Sequence, residues 1–97
     1  VATFAVHYTY TEATAAARLA NRPEHRAWLE NLVAEGVVLT SGPYPDGTGA
    51  LLIFKYDDEA GLLDLLPEDP FSKLGLVEAV RVVEWQPVMG ALVEHTA

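Results

Sequence analysis

The sequence offers few side chains able to take up and release a proton near neutrality: three histidines, no cysteine, and a scatter of carboxylates. His25, in the stretch RPEHRAWLENLVAEG, has the most unusual position. Trp28, Leu29, Leu32 and Val33 recur at three and four residues and mark the core face of an amphipathic helix. Extending that stripe back one turn lands on His25, framed by Arg22 and Arg26. A histidine where leucine would pack suits general acid–base work, although half-buried packing near a helix start explains it equally well. Asp69, in PEDPFSKLG, is the second candidate. An aspartate before a proline caps a short helix starting at Pro70. A carboxylate fixed in that way is also oriented to hold an imidazole, as in the base-orienting half of a catalytic triad. Spacing does not show that Asp69 reaches His25.

Ser41, in TSGPY, stands where a Gly-Pro break exposes a hydroxyl and backbone N–H groups. A nucleophilic serine would need a flanking G-x-S-x-G, which is missing, so Ser41 is expected to hydrogen-bond a ligand or simply to turn the chain. Gly42, Pro43 and Tyr44 of the same break are grouped with it as substrate-binding candidates, together with Arg22 and Phe71. His7, central in the first strand, either lines the same cavity or bonds within the sheet. His95 receives no role. No H-x-x-H or H-x-x-x-H pair exists, so no metal site is expected. The DGTG segment lacks a Walker lysine and a following helix, and is read as a turn. Trp28 and Trp85 are read as core or interface, and no cofactor is expected.

The elements that must position these residues follow from periodicity. TFAVHYTY alternates, with Phe4, Val6, Tyr8 and Tyr10 on one face and Ala5, His7 and Thr9 on the other, and reads as a strand. TEATAAARLA reads as a short, partly exposed helix with Thr11 as its cap. A second helix is expected to start at Pro23, proline being favoured at the first helical position, and to stop at Gly36. VVLTSGPY reads as the next strand, and PDGTG turns into a third over about Ala50 to Tyr56. DDEAGLLDLL reads as a helix with an acidic first turn and Leu62, Leu63, Leu65 and Leu66 facing inward. VEAVRVVEWQPV reads as the last strand, before a tail over 90–97.

The order β-α-β-β-α-β is that of an α+β, ferredoxin-like antiparallel sheet with helices on one face. Ala50 to Phe54 is continuously apolar, and the last strand places valines on both faces. A sheet with one wet face alternates more cleanly, so the second face is expected to be covered by another copy of the chain, making a homodimer.

RPEHRAWLENLVAEGVVLTSGPY, then GALLIFK, then EDPFSKLGLVEAVRVVEWQPV together resemble the YciI-like (YCII-related) family over nearly the whole chain. The resemblance implies a dimeric α+β barrel of ferredoxin-like protomers, related in architecture to muconolactone isomerases, with a site built on a histidine and an aspartate. By motif these are His25 of R-P-x-H and Asp69 of D-P-F, with Ser41 of S-G-P in the pocket. One branch of the family eliminates HCl from a chlorinated hydroxyquinol, which fits proton abstraction without metal or organic cofactor. The compact PYPDGTG turn departs from longer members and leaves less loop to roof a pocket.

Composition bounds the rest. Ninety-seven residues, 51% apolar and 21% charged, suit one globular domain over 1–97. A net charge of −8 repels a phosphate backbone and anionic lipid, so neither nucleic acid nor a membrane surface is an expected partner. The longest apolar runs fall far short of the roughly 20 residues that span a bilayer, and no signal-like opening is present. A cytoplasmic location is expected. The first functional reading is a cofactor-independent enzyme in which His25 is base or acid, Asp69 orients it, and the substrate is a small cyclic oxygenated molecule. The alternative is a non-catalytic dimeric module that binds a small molecule in the same cavity or assists another enzyme. A cofactor-free monooxygenase is a third, weaker reading.

Overall fold

The computed structural model describes residues 1–96, with side chains as far as Glu94. Of the expected tail, residue 97 and the His95 side chain lie outside the described residues. Chain order runs β1 (Ala2–Thr9), α1 (Ala15–Ala34), β2 (Val38–Pro43), β3 (Gly49–Tyr56), α2 (Glu59–Leu65), α3 (Pro70–Lys73), β4 (Ala79–Glu84) and α4 (Val93–Thr96). The four strands form one sheet in the order β2-β3-β1-β4, antiparallel throughout. This is the ferredoxin-like arrangement that the sequence pattern predicts.

The alternation in β1 sets the core. Phe4, Val6 and Tyr8 point to the helix side with exposures of 1% or less, opposite Phe54, Leu52 and Ala50 of β3. Leu29 and Leu32 of α1, Val38, Leu62 and Leu66 complete the cluster. Each such side chain removed from water contributes about 1.5–3 kcal/mol, which makes the β1–β3 centre the rigid base on which α1 and α3 sit. On the opposite face, Ala5 and His7 of β1 are half-buried, as is Leu51 of β3. Val83 and Trp85 are 37% and 40% exposed.

Helix α1 differs from the sequence expectation. It is one helix of 20 residues with Pro23 inside it, where two helices meeting at Pro23 were expected. Pro23 cannot donate to the Leu19 carbonyl, but both residues are exposed, so solvent can satisfy that oxygen. The alanine-rich turns before it have the propensity to carry the helix through. Two backbone bonds end it, from Gly36 N to the Val33 carbonyl (3.0 Å) and from Val37 N to the Leu32 carbonyl (2.9 Å), with Gly36 at φ 77°. That is a Schellman stop, which requires the left-handed conformation glycine adopts freely.

Three smaller differences follow from packing. Val33, expected on the core stripe, is 51% exposed and borders a cleft. Leu63 is 49% exposed, because the helical turn that buries Leu62 rotates its neighbour by about 100° toward solvent. The last strand covers only Ala79–Glu84 of the stretch expected for it. The Asp46 carboxylate organises the β2–β3 turn by accepting from the Thr48 N–H (3.0 Å) and hydroxyl (2.7 Å). A Cβ at Gly49 would stand 2.0 Å from the Tyr8 carbonyl oxygen, so only glycine fits where β3 begins against β1. Among the described residues no helix is long and apolar enough to cross a membrane.

Candidate active site

The buried stripe of α1 runs Arg18, His25, Leu29, Leu32. His25 therefore lies on the core face, 8% exposed, and not on the wet one. The site it meets is made by the break between α2 and α3. A 3-10 turn over Leu66–Glu68 delivers Asp69 to the N-cap of α3, with Pro70 as the first helical residue. Asp69 Oδ1 accepts from the Phe71 N–H at 3.0 Å, which is the capping bond. The same oxygen lies 2.7 Å from His25 Nδ1, and Oδ2 accepts from the Tyr8 hydroxyl at 2.8 Å. Asp69 is 0% exposed. Capping and holding the imidazole, which sequence offered as two compatible roles, are both in the geometry.

Three donors on two oxygens are what a carboxylate, an acceptor at every lone pair, can satisfy. Bonds of this charge-assisted kind contribute about 1.5–3 kcal/mol each, so removing the carboxylate would strand buried donors. In a neutral imidazole, Asp69 accepting at Nδ1 places the ring proton there and leaves Nε2 its lone pair. Nε2 makes no hydrogen bond among the described residues and is not sealed off from solvent. The Phe71 ring covers one imidazole face, with centroids 3.9 Å apart and planes 3° from parallel. The imidazole is held at one edge, stacked on one face and unbonded at the other edge.

His25 lines a cleft of about 570 Å³ between α1, the end of β2 and the start of β3, a size typical of small-molecule sites. Arg22, Ser41, Gly42, Pro43 and Phe71, all sequence candidates, line it with His25. His7 and Tyr44 do not. His7 Nδ1 and the Tyr44 hydroxyl bond to each other at 3.0 Å. The alternation of β1 turns His7 to the face opposite Tyr8, away from the cleft. Among the described residues no group of three or more His, Asp or Glu side chains could hold a metal ion.

Sequence reasoning missed Tyr8, Tyr10 and Arg18. Burial, and after it the Asp69 charge, holds the Tyr8 phenol far above its ordinary range. Burial also pushes Tyr10 up to about 12, with Asp69 adding to the shift and Arg18 opposing it. Tyr10 meets Phe71 edge-on at 6.1 Å, and the Arg18 guanidinium lies 4.3 Å from the Tyr10 ring centre. The signal for Tyr8 was present: a phenol on the core face of a central strand needs a buried partner for its hydroxyl.

Comparison with known proteins agrees with this architecture. A family model for the YCII-related domain matches residues 2–86. The chain belongs to that family. Among solved structures, this YCII-related chain is similar to 5-chloro-2-hydroxyhydroquinone dehydrochlorinase (TftG) from Burkholderia phenoliruptrix AC1100, in a complex with 2,5-dihydroxybenzoquinone. The two are 27% identical, the match covers 86% of this chain and 92% of the other, and the TM-score is 0.76. No curated protein matches the chain.

Proposed function

We propose that this YCII-related protein is a cofactor-independent enzyme acting on a small, cyclic, oxygenated substrate, with His25 as general base and acid and Asp69 as the residue that orients it. The observation that carries the reading is the 2.7 Å contact between His25 Nδ1 and Asp69 Oδ1 in a residue that lines the cleft, with Nε2 unbonded among the described residues. Nε2 removes a proton from an acidic O–H or activated C–H as the bonding pair moves into the ring. Asp69 stabilises the imidazolium that forms. The electron pair then expels a leaving group in an elimination or takes up a proton elsewhere in an isomerisation. A chlorinated hydroxyquinol loses the elements of HCl when the ring carbon bearing chlorine first takes up a proton, giving a keto tautomer, and loss of a further hydroxyl proton to Nε2 then expels chloride and leaves a hydroxyquinone; no external oxidant is needed. The similar dehydrochlorinase, which acts on such a compound, supports this substrate class.

The test is chloride release from 5-chloro-2-hydroxyhydroquinone. The wild-type protein should release chloride, and His25→Ala should slow that release by about 10²–10⁴-fold, the usual worth of acid–base help. Equal rates would reject the role of His25.

The second sheet face supports a homodimer as part of the same proposal. Val83 and Trp85, beside Ala5 and Leu51, leave an apolar surface on the side away from α1. A second copy laid face to face would cover it. The cleft lies on the helix side of each protomer, so pairing in this way leaves both clefts open. We assign the protein to the cytoplasm.

A further inference from the structure

The cleft holds an unexplained concentration of positive charge. The chain has six basic residues against fourteen acidic ones, yet Arg18, Arg22 and Arg26 all line this one cavity, with Glu30 the sole carboxylate in its wall. They follow one another at four-residue spacing along α1, an arrangement in which like charges repel and weaken a helix. None of the three pairs with a carboxylate among the described residues.

Arg18 is the most informative. It is only 9% exposed, and a guanidinium that far from solvent ordinarily has an anionic partner. Its partners here are neutral: Nη1 donates to the Thr11 carbonyl (3.0 Å) and to the Thr14 hydroxyl. Its guanidinium carbon stands over the Tyr10 ring, 4.3 Å from the ring centre. Nε and Nη2 have no partner among the described residues, and neither is sealed from solvent. Arg18 lines the cavity, and these donors are the part of its guanidinium still available to a ligand there. Neutral acceptors and an aromatic ring fix the guanidinium without neutralising it, and leave a planar fork suited to an oxyanion.

Arg18 and His25 sit two helical turns apart on the same stripe, about 10 Å along the axis. Between them runs an aromatic wall, with Tyr10 against Arg18 and Phe71 against His25. We infer that Arg18 is the anion-binding residue of the cleft, and that the cleft selects a flat ring carrying an ionised oxygen, a phenolate, enolate or carboxylate, over its neutral counterpart. The ring would lie along Tyr10 and Phe71 with its oxyanion on Arg18 and its reacting proton at His25. The net negative charge of the chain does not cancel this preference, because charges farther away than about 8 Å are largely screened at physiological salt. The inference rests on the cleft being the substrate site, but not on the acid–base role of His25.

The test uses a matched pair of ligands and reads binding without turnover. 2,5-Dihydroxybenzoquinone, whose enolic hydroxyls ionise in neutral solution, is compared with its neutral dimethyl ether by calorimetry. Wild-type protein should prefer the anion by about tenfold or more. Arg18→Gln should bring the two affinities to within about twofold, with binding of the ether unchanged. A second readout needs no variant: the Arg18 Nε–H resonance should move on saturation with the anion and stay in place with the ether. An undiminished preference in Arg18→Gln, no preference in the wild type, a stationary Arg18 resonance, or no binding of the anion at millimolar concentration would each overturn the inference. A wild-type protein that prefers the anion but releases no chloride from 5-chloro-2-hydroxyhydroquinone would instead count against the acid–base reading alone.

Discussion

His25 on α1 and Asp69 at the cap of α3 meet with Nδ1 2.7 Å from Oδ1, although 44 residues separate them in the chain. The contact is buried, and Asp69 is held in place from two further directions by the Tyr8 hydroxyl and the Phe71 amide. A single carboxylate thus joins the central strand β1, the long helix and the short one. Its loss should be felt in stability and in chemistry together.

Asp69→Asn tests that junction. An amide presents one acceptor oxygen and an N–H₂ group to sites where donors now point, so some of the three bonds must fail. Chemical denaturation should show a loss of about 2 kcal/mol or more. An unchanged unfolding midpoint would mean that the carboxylate does not organise the site.

Tyr8→Phe keeps the ring and removes only the hydroxyl, leaving Asp69 Oδ2 without its 2.8 Å donor. The expected cost is about 1–3 kcal/mol of stability, measured in the same way. Binding of a neutral ligand in the cleft should be affected little, because Tyr8 does not line it.

Alkaline titration should report both buried phenols. Tyr8 and Tyr10 stay protonated in the folded state beyond the ordinary phenol value of 10, Tyr10 to about 12. The unfolded chain releases those protons first, so folding stability is full below about pH 10 and falls as pH rises through the window above it. Phenolate absorbance should show these two tyrosines ionising late or together with unfolding, and Tyr8→Phe and Tyr10→Phe should each remove one late component. Ionisation of all four tyrosines near pH 10 with the fold intact would contradict the burial of these two.

Pro23→Ala should stabilise the protein. The substitution restores an N–H donor toward the Leu19 carbonyl in an exposed part of α1, and alanine is the better residue in a helix interior by about 3 kcal/mol. Part of that gain is offset because proline restricts the unfolded chain. A rise of about 1–2 kcal/mol in denaturant melts is expected; a fall would mean that the fold needs proline at this position.

Most of the fold is legible in the sequence because its strands announce themselves. The alternation of Phe4, Val6 and Tyr8 and the apolar run of Ala50 to Phe54 identify the two central strands. The helix stripe places His25 on the core side. What misleads is Pro23: a residue favoured at a helix start is tolerated inside an exposed helix, and local preference cannot distinguish the two. The site is half legible. Asp69 is readable as a cap, but its contact with His25 depends on how α3 docks, which no local pattern encodes. Arg18 escapes notice because arginine on a helix ordinarily reads as a solvated charge, and only packing shows it drawn beneath Tyr10. His7 and Tyr44 bond to each other and do not line the cleft, a long-range pairing that no local pattern encodes.

The claim that His25 and Asp69 act as one unit is tested most directly by a double-mutant cycle on chloride release from 5-chloro-2-hydroxyhydroquinone, with His25→Ala, Asp69→Asn and the two combined. Groups that act together are not additive, so the double variant should be no slower than His25→Ala alone. Losses that multiply, or an Asp69→Asn protein as fast as the wild type, would contradict the pairing.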